Sequence, residues 1–140
     1  MKLIVYTDWG ARGNPGSAGL WVYITDSTWK KVEARYKSLG VATNNFAEAQ
    51  GALHGIRRAI ELGATEIELK MDSELVVSQL RGEYKVKNPD LKTIYAELGT
   101  ILANWTGHIT YTHIRREQNK EADRLSNVAM DKNEEWGIKN

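Results

Sequence analysis

The sequence contains no cysteine among its 140 residues. It can therefore form neither a disulfide nor a thiolate metal site, and any metal ion must be held by oxygen or imidazole ligands. No apolar run approaches the ~20 residues that a membrane-spanning helix needs, and the apolar run at the N-terminus, which ends at Asp8, is too short for a signal peptide. We expect a cytoplasmic protein that does not associate with membranes.

The sequence also lacks a large excess of positive charge, since its formal net charge is +1. Domains that bind nucleic acid by charge alone are usually strongly basic, so this balance argues against such a protein. The objection weakens if several acidic residues form a metal site, because bound cations would locally reverse the field.

Internal repeats, low-complexity segments and Pro/Gly/Ser-rich linkers are missing too. A hydrophobic content of 41% is ordinary for a globular protein, and the length is that of one domain with a continuous core. We predict one domain over residues 1–130 and a loose C-terminal tail over residues 131–140.

The first third of the sequence predicts an antiparallel meander of three strands. Leu3–Tyr6 is a short run of β-formers, which we expect the glycine- and proline-containing segment Gly10–Gly19 to end. Leu20–Thr25 forms the second predicted strand, and Lys31–Leu39 the third.

Helical periodicity then alternates with strand patterns. An apolar face predicts a helix from about Asn45 to Leu62, capped by Thr43 or Asn44. The later predicted elements are strand Ile67–Met71, a short helix from Ser73 to near Gly82, a helix starting at Asn88–Asp90, strand His108–Ile114 and a helix from about Gln118 to Met130. This order predicts an α/β fold, a mixed sheet covered by helices, with strands one and four as parallel neighbours.

Three acidic residues are expected at one edge of this sheet. Asp8 follows the first predicted strand and Asp72 the fourth, so both carboxylates should emerge at the same edge. Glu48 is expected in the first turn of the crossover helix, near that edge. An isolated Asp at a strand end is usually a turn former or a cap, but converging carboxylates repel one another unless cations neutralise them. Oxygen ligands of this kind favour magnesium or manganese.

Four motifs in order give the chain a resemblance to the type 1 ribonucleases H over about Leu3 to Ala129. They are Tyr6-Thr7-Asp8 followed by Gly13-Asn14-Pro15-Gly16, then Thr43-Asn44-Asn45-Phe46-Ala47-Glu48, then Met71-Asp72-Ser73, and Asn119-Lys120-Glu121-Ala122-Asp123. Each motif alone is weak, whereas all four in this order are highly specific.

This resemblance implies a five-stranded mixed sheet with helices on both faces. It assigns Asp8, Glu48, Asp72 and Asp123 as metal-binding catalytic residues, the last of them from its position in the motif alone. It further implies two Mg²⁺ ions, with Mn²⁺ as a possible substitute, and hydrolysis of the RNA strand of RNA–DNA hybrids to 5′-phosphate and 3′-hydroxyl ends. We expect a monomer without an obligate protein partner.

The same resemblance indicates which residues contact the hybrid. It implies minor-groove contacts for Asn14, Asn44 and Asn45, and a DNA-strand phosphate contact for Thr43. Helix capping by Thr43 or Asn44 and turn formation by Asn14 are the simpler interpretations, and capping is compatible with ligand contact.

Relatives often carry a histidine in the loop before the last helix, but the corresponding segment here, Arg115–Gln118, has none. Arg115 or Arg116 could contact the phosphate in its place. His113, at the end of the fifth predicted strand, is the other candidate.

The residue after Asp8 also departs from the family pattern, because most relatives have glycine where this chain has Trp9. We expect a partly buried aromatic side chain, and the alternatives are that it stacks on the substrate or blocks the groove. Two other functions stay open: a DNA-processing nuclease of the same fold and a catalytically silent hybrid-binding module. The segment Thr43–Glu48 argues against the first, and the complete set of acids argues against the second.

Overall fold

A computed structural model describes residues 1–13, 16–119 and 137–138 of the chain. Its elements, in order, are β1 (Lys2–Gly13), β2 (Gly16–Asp26), β3 (Lys31–Ala42), α1 (Asn44–Glu61), β4 (Glu66–Met71), α2 (Glu74–Leu80), α3 (Pro89–Ala103), β5 (His108–His113), a 3₁₀ turn (Arg116–Gln118) and β6 (Gly137–Ile138). None of the helices in these ranges is long and apolar enough to cross a membrane.

The strands form one mixed sheet in the order β5-β4-β1-β2-β3-β6. The pairs β1–β2 and β2–β3 are antiparallel, whereas β4 is parallel to both β1 and β5. The predicted meander, the parallel pairing of strands one and four and the mixed sheet of the five predicted strands are therefore confirmed, and the two-residue strand β6 adds a sixth at the edge beside β3. The helix predicted from about Gln118 to Met130 lies outside the described residues from position 120 onward.

The prediction that the glycine-rich segment ends the first strand is wrong. β1 continues to Gly13 and pairs with β2 from Leu3 onward, including Gly10 with Gly19 and Gly13 with Gly16. Backbone groups alone make the ladder hydrogen bonds, so small residues facing each other across two strands can extend a hairpin.

Two residues of the predicted C-terminal tail take part in the sheet. Gly137–Ile138 form β6 and pair with Arg35 and Tyr36 of β3, whereas the rest of the segment 131–140 lies outside the described residues, and a loose tail there stays a prediction. An outer strand presents unpaired backbone groups, and β6 satisfies some of those of β3. The domain boundary at residue 130 stays a prediction.

The main core lies between one face of the sheet and the three described helices. It includes Val5 of β1, Val22 of β2, Leu69 of β4, Ile56 of α1 and Leu98 of α3. A second cluster, Trp21, Ala34 and Tyr36 with Tyr6 and Tyr23 against it, contains the alternate residues of the same strands and so lies on the opposite face.

Close packing of α1 on β1 depends on a glycine. A Cβ atom at Gly55 would lie 2.8 Å from Val5 Cγ1 and 3.0 Å from Thr7 Cγ2, whereas one at Gly51 would meet Thr7 Cβ at 3.5 Å. Gly55 therefore lets the helix backbone approach β1, and this approach sets the position of Glu48, about two turns earlier in α1.

Candidate active site

Asp8 and Asp72 lie side by side at the end of the parallel β1–β4 pairing. Thr7 and Met71 form the last pair of that ladder, and the two aspartates follow directly. Asp8 is nevertheless within β1, because β1 continues along β2 after β4 has ended. The predicted juxtaposition therefore holds, although the predicted strand end at Asp8 does not. Asp8 is 5% exposed, and its Oδ1 accepts a hydrogen bond of 2.8 Å from the Trp9 backbone N–H.

Glu48 reaches this neighbourhood from α1. It is the fifth residue of a helix that begins at Asn44, so it lies just beyond the first turn in which we predicted it. The Trp9 indole Nε1 donates to Glu48 Oε1 at 2.6 Å, and Ser73 Oγ donates to Glu48 Oε2 at 2.7 Å. The residue after Asp8 and the residue after Asp72 thus both hold Glu48.

The electrostatic environment of Glu48 disfavours its negative charge. Burial raises the pKa of its carboxyl above the usual range, the hydrogen bonds from Ser73 and Trp9 lower it, and the charge of Asp72 raises it further. The net shift is upward. A cation bound between these carboxylates would relieve both the repulsion and the desolvation.

Ser73 has two functions at this sheet end. Its Oγ caps α2 by accepting a hydrogen bond of 3.2 Å from the Val76 N–H, and it also donates to Glu48. Helix capping alone accounts for a serine at this position, so the contact with Glu48 could not be predicted from the sequence.

Asn119 is a site residue that the sequence analysis did not select. Its side chain is 2% exposed, and its Nδ2 donates to the Thr7 carbonyl at 2.8 Å and approaches Asp72 Oδ2 at 3.4 Å. It thereby links β1 beside Asp8 to Asp72, which follows the end of β4. The indication of its role in the sequence was its position as the first residue of the fourth motif.

The donors at this site fit a hard divalent cation by their chemistry. Asp8, Glu48 and Asp72 supply only carboxylate oxygens, which magnesium and manganese prefer. Within the described ranges, no three acidic or imidazole side chains already form a group that could hold an ion. Asp8 shares a sheet face with its cross-strand partner Trp21, whereas Glu48 comes from the helix on the other face. The predicted fourth ligand, Asp123, lies outside the described residues.

The residues predicted to contact substrate begin α1. Thr43 caps the helix through its Oγ1, which accepts from the Phe46 N–H at 3.4 Å, and Asn44 and Asn45 are its first two residues. Thr43 and Asn45 are exposed, which a substrate contact requires. Asn14 lies outside the described residues.

The candidates for phosphate contact follow β5. His113 is exposed and pairs with Met71, so it belongs to the same sheet end as Asp72. Its side chain borders a groove along α2 that is also lined by Glu74 and Arg81. Arg115 and Arg116 are exposed. Arg115 precedes the 3₁₀ turn and Arg116 is its first residue, and Asn119 follows the turn directly.

Trp9 is partly buried, as expected, and its indole contacts Glu48. This contact was not predicted, because a bulky residue in place of glycine gives no indication of the hydrogen bond that its ring makes.

Sequence similarity to known proteins extends over nearly the whole chain. Residues 10–129 match the reverse transcriptase-like family. The chain is 32% identical over 148 residues to ribonuclease H of Ruthia magnifica, a match that covers 94% of the chain and 97% of that relative. It is also similar to a bifunctional protein of Mycobacterium tuberculosis, with 44% identity over 132 residues and 94% of the chain covered. The chain spans about a third of that longer protein, 36% of its length.

A solved structure shows the same fold. The crystal structure of LC11-RNase H1 in complex with an RNA/DNA hybrid superposes with a TM-score of 0.88 and 40% sequence identity, covering 93% of this chain and 97% of the other.

Proposed function

The chain belongs to the type 1 ribonuclease H family, and on this premise we propose that it is a nuclease that hydrolyses the RNA strand of RNA–DNA hybrids. The observation that carries the proposal is the placement of Asp8 and Asp72 side by side, with Glu48 tied to both of their neighbours. Such a concentration of carboxylates is costly without a cation to offset it.

In this proposal Asp8, Glu48, Asp72 and Asp123 hold two magnesium ions. When bound, such ions lower the pKa of a water molecule and stabilise the charge that develops on the phosphate. The oxygen of water attacks phosphorus, the bond from phosphorus to the 3′-oxygen breaks, and the products carry 5′-phosphate and 3′-hydroxyl ends. Manganese is expected to substitute for magnesium, since it prefers the same ligands.

The chain's own residues position and orient these groups. Asn119 ties the β1 backbone to Asp72, and Ser73 holds Glu48 while it caps α2. Both contacts fix carboxylates before substrate arrives, which reduces the reorganisation needed for reaction.

Recognition of the hybrid is assigned to the start of α1. The exposed Thr43 and Asn45, with Asn44 between them, lie a few residues before Glu48 and so place short polar groups beside the proposed cleavage site. The 2′-hydroxyl both donates and accepts hydrogen bonds, which suits amide side chains. Asn14 joins this set by its motif, and Arg115 and Arg116 are proposed as phosphate contacts.

One assay separates this function from its rivals. Matched labelled RNA–DNA, DNA–DNA and RNA–RNA duplexes are incubated with the protein and Mg²⁺, and binding is measured in parallel. We expect RNA-strand cleavage confined to the hybrid. Cleavage of DNA–DNA would instead support a DNA-processing nuclease, and hybrid binding without cleavage in either Mg²⁺ or Mn²⁺ would support a silent binding module. Sedimentation of the same sample tests the proposed monomer.

A further inference from the structure

Trp9 and Ser73 together satisfy both oxygens of the Glu48 carboxylate. The indole N–H reaches Oε1 at 2.6 Å and the serine hydroxyl reaches Oε2 at 2.7 Å. Both donors are neutral, and each immediately follows one of the two aspartates at the sheet end. The carboxylate is therefore held in one orientation by two residues that lie just beyond the last β1–β4 pair.

The Trp9 contact follows from the way α1 packs along β1. Gly55 faces Val5 and Thr7, and Gly51 faces Thr7, so successive turns of the helix meet alternate residues of the strand. Four helical residues rise ~6 Å and two strand residues ~6.6 Å, so this match continues along both elements. Trp9 is the next alternate residue of β1, and Glu48 occupies the next turn of α1. The backbone packing thus brings the indole to the carboxylate.

The geometry points to Trp9 as a positioning residue. We propose that its indole N–H fixes the Glu48 carboxylate for binding of the divalent cation, and that it raises the affinity of the site for that cation. This inference rests on the proposed function, because it concerns the same carboxylates. Hydrogen-bond partners of metal-ligating groups commonly contribute about 10–100-fold to metal affinity.

Stacking of the Trp9 ring on substrate would be a different role, and Trp9→Phe distinguishes the two. Phenylalanine keeps an aromatic face that can stack on a base but has no N–H to donate. A loss of cation affinity in Trp9→Phe without substrate therefore reports the hydrogen bond and not stacking.

Trp105 provides a matched control. Its indole Nε1 donates to the Ala64 carbonyl at 2.9 Å and not to a carboxylate of the site. Trp105→Phe removes an indole hydrogen bond of the same kind. Any general loss of stability caused by such a change appears in both variants, and thermal unfolding of both shows that they are folded.

The experiment is a Mg²⁺ titration of ¹⁵N-labelled protein without nucleic acid, followed by NMR. In the wild type we expect chemical-shift changes that saturate as Mg²⁺ is added, and in Asp72→Asn we expect weaker Mg²⁺ binding. In Trp9→Phe we expect the dissociation constant for Mg²⁺ to rise about 10-fold, and in Trp105→Phe to change by less than about twofold. The indole resonance that disappears in Trp9→Phe should also shift in Glu48→Gln.

The outcomes separate the inference from the proposed function. If the wild type binds Mg²⁺ through Asp72 but Trp9→Phe binds it equally well or more tightly, the positioning role is overturned and the proposed function stands. If the wild type shows no saturable Mg²⁺ binding that depends on Asp72, both are overturned.

Discussion

Gly55→Ala is the substitution that most directly tests how α1 packing builds the site. The added Cβ would lie 2.8 Å from Val5 Cγ1 and 3.0 Å from Thr7 Cγ2, in a region where both side chains are buried. Overpacking of this kind costs about 1–3 kcal/mol, whereas alanine gains about 1 kcal/mol over glycine in helix propensity. We expect the free energy of unfolding to fall by about 1 kcal/mol.

The movement that relieves this clash should also change the position of Glu48. We expect α1 to accommodate the methyl group by moving away from β1, because Val5 and Thr7 are both buried, and this movement lengthens the contact between Trp9 and Glu48. We therefore expect reduced hybrid cleavage in Gly55→Ala even under conditions where the variant is fully folded.

Urea denaturation measures the change in stability, and Gly99→Ala is the matched control. A Cβ at Gly99, on the exposed side of α3, meets no atom within 4 Å, so this variant should gain about 1 kcal/mol from helix propensity. A Gly55→Ala protein as stable as Gly99→Ala would refute the proposed close approach of α1 to β1.

Three further predictions concern other parts of the molecule, and urea denaturation measures each. Trp29 has a φ of 63° and is 69% exposed, so Trp29→Gly should relieve backbone strain and raise the free energy of unfolding by about 0.5–1 kcal/mol; a loss of stability would contradict this. Glu33 accepts two hydrogen bonds from Arg58, at 2.6 and 2.8 Å, which hold the pKa of its carboxyl below the usual value of 4.5. The ion pair therefore stabilises the fold fully above pH 4.5 and less as the pH falls below it. Glu33→Gln should lower the free energy of unfolding by about 1 kcal/mol at pH 7 and by progressively less below pH 4.5. A loss of stability that does not depend on pH would contradict this prediction. Asn119→Ala removes the hydrogen bond to the Thr7 carbonyl and should cost about 1–3 kcal/mol, whereas an unchanged stability would show that the link is not needed.

The meander of β1, β2 and β3, the parallel pairing of β1 with β4 and the neighbouring positions of Asp8 and Asp72 could be predicted because they follow from hydrophobic patterns. Short β-rich runs, a long amphipathic helix and the right-handed crossover between parallel strands left few arrangements, and the two aspartates follow from the register. Element ends were less predictable. The extension of β1 through its glycines depends on pairing with β2, which no local property of Gly10 or Gly13 reveals.

The hydrogen bonds around Glu48 could not be predicted, because each joins residues far apart in the sequence. Trp9 is 39 positions from Glu48, and Ser73 is 25 positions from it. Only the packing distance of α1 on β1 determines that an indole in place of glycine meets a carboxylate. Likewise, the side-chain amide of Asn119 reaches Thr7 across 112 positions, a contact that the motif marked without explaining.

The measurement that tests the proposed nuclease most directly is the rate of RNA-strand cleavage in an RNA–DNA hybrid by Asp72→Asn relative to the wild type. Because even partners of metal ligands contribute about 10–100-fold, loss of a ligand should lower the rate by more than ~100-fold. Glu66→Gln, at the opposite end of β4, is the control and should leave the rate within about twofold of the wild type. An Asp72→Asn protein that cleaves the hybrid as fast as Glu66→Gln would contradict the assignment of these carboxylates as the catalytic site.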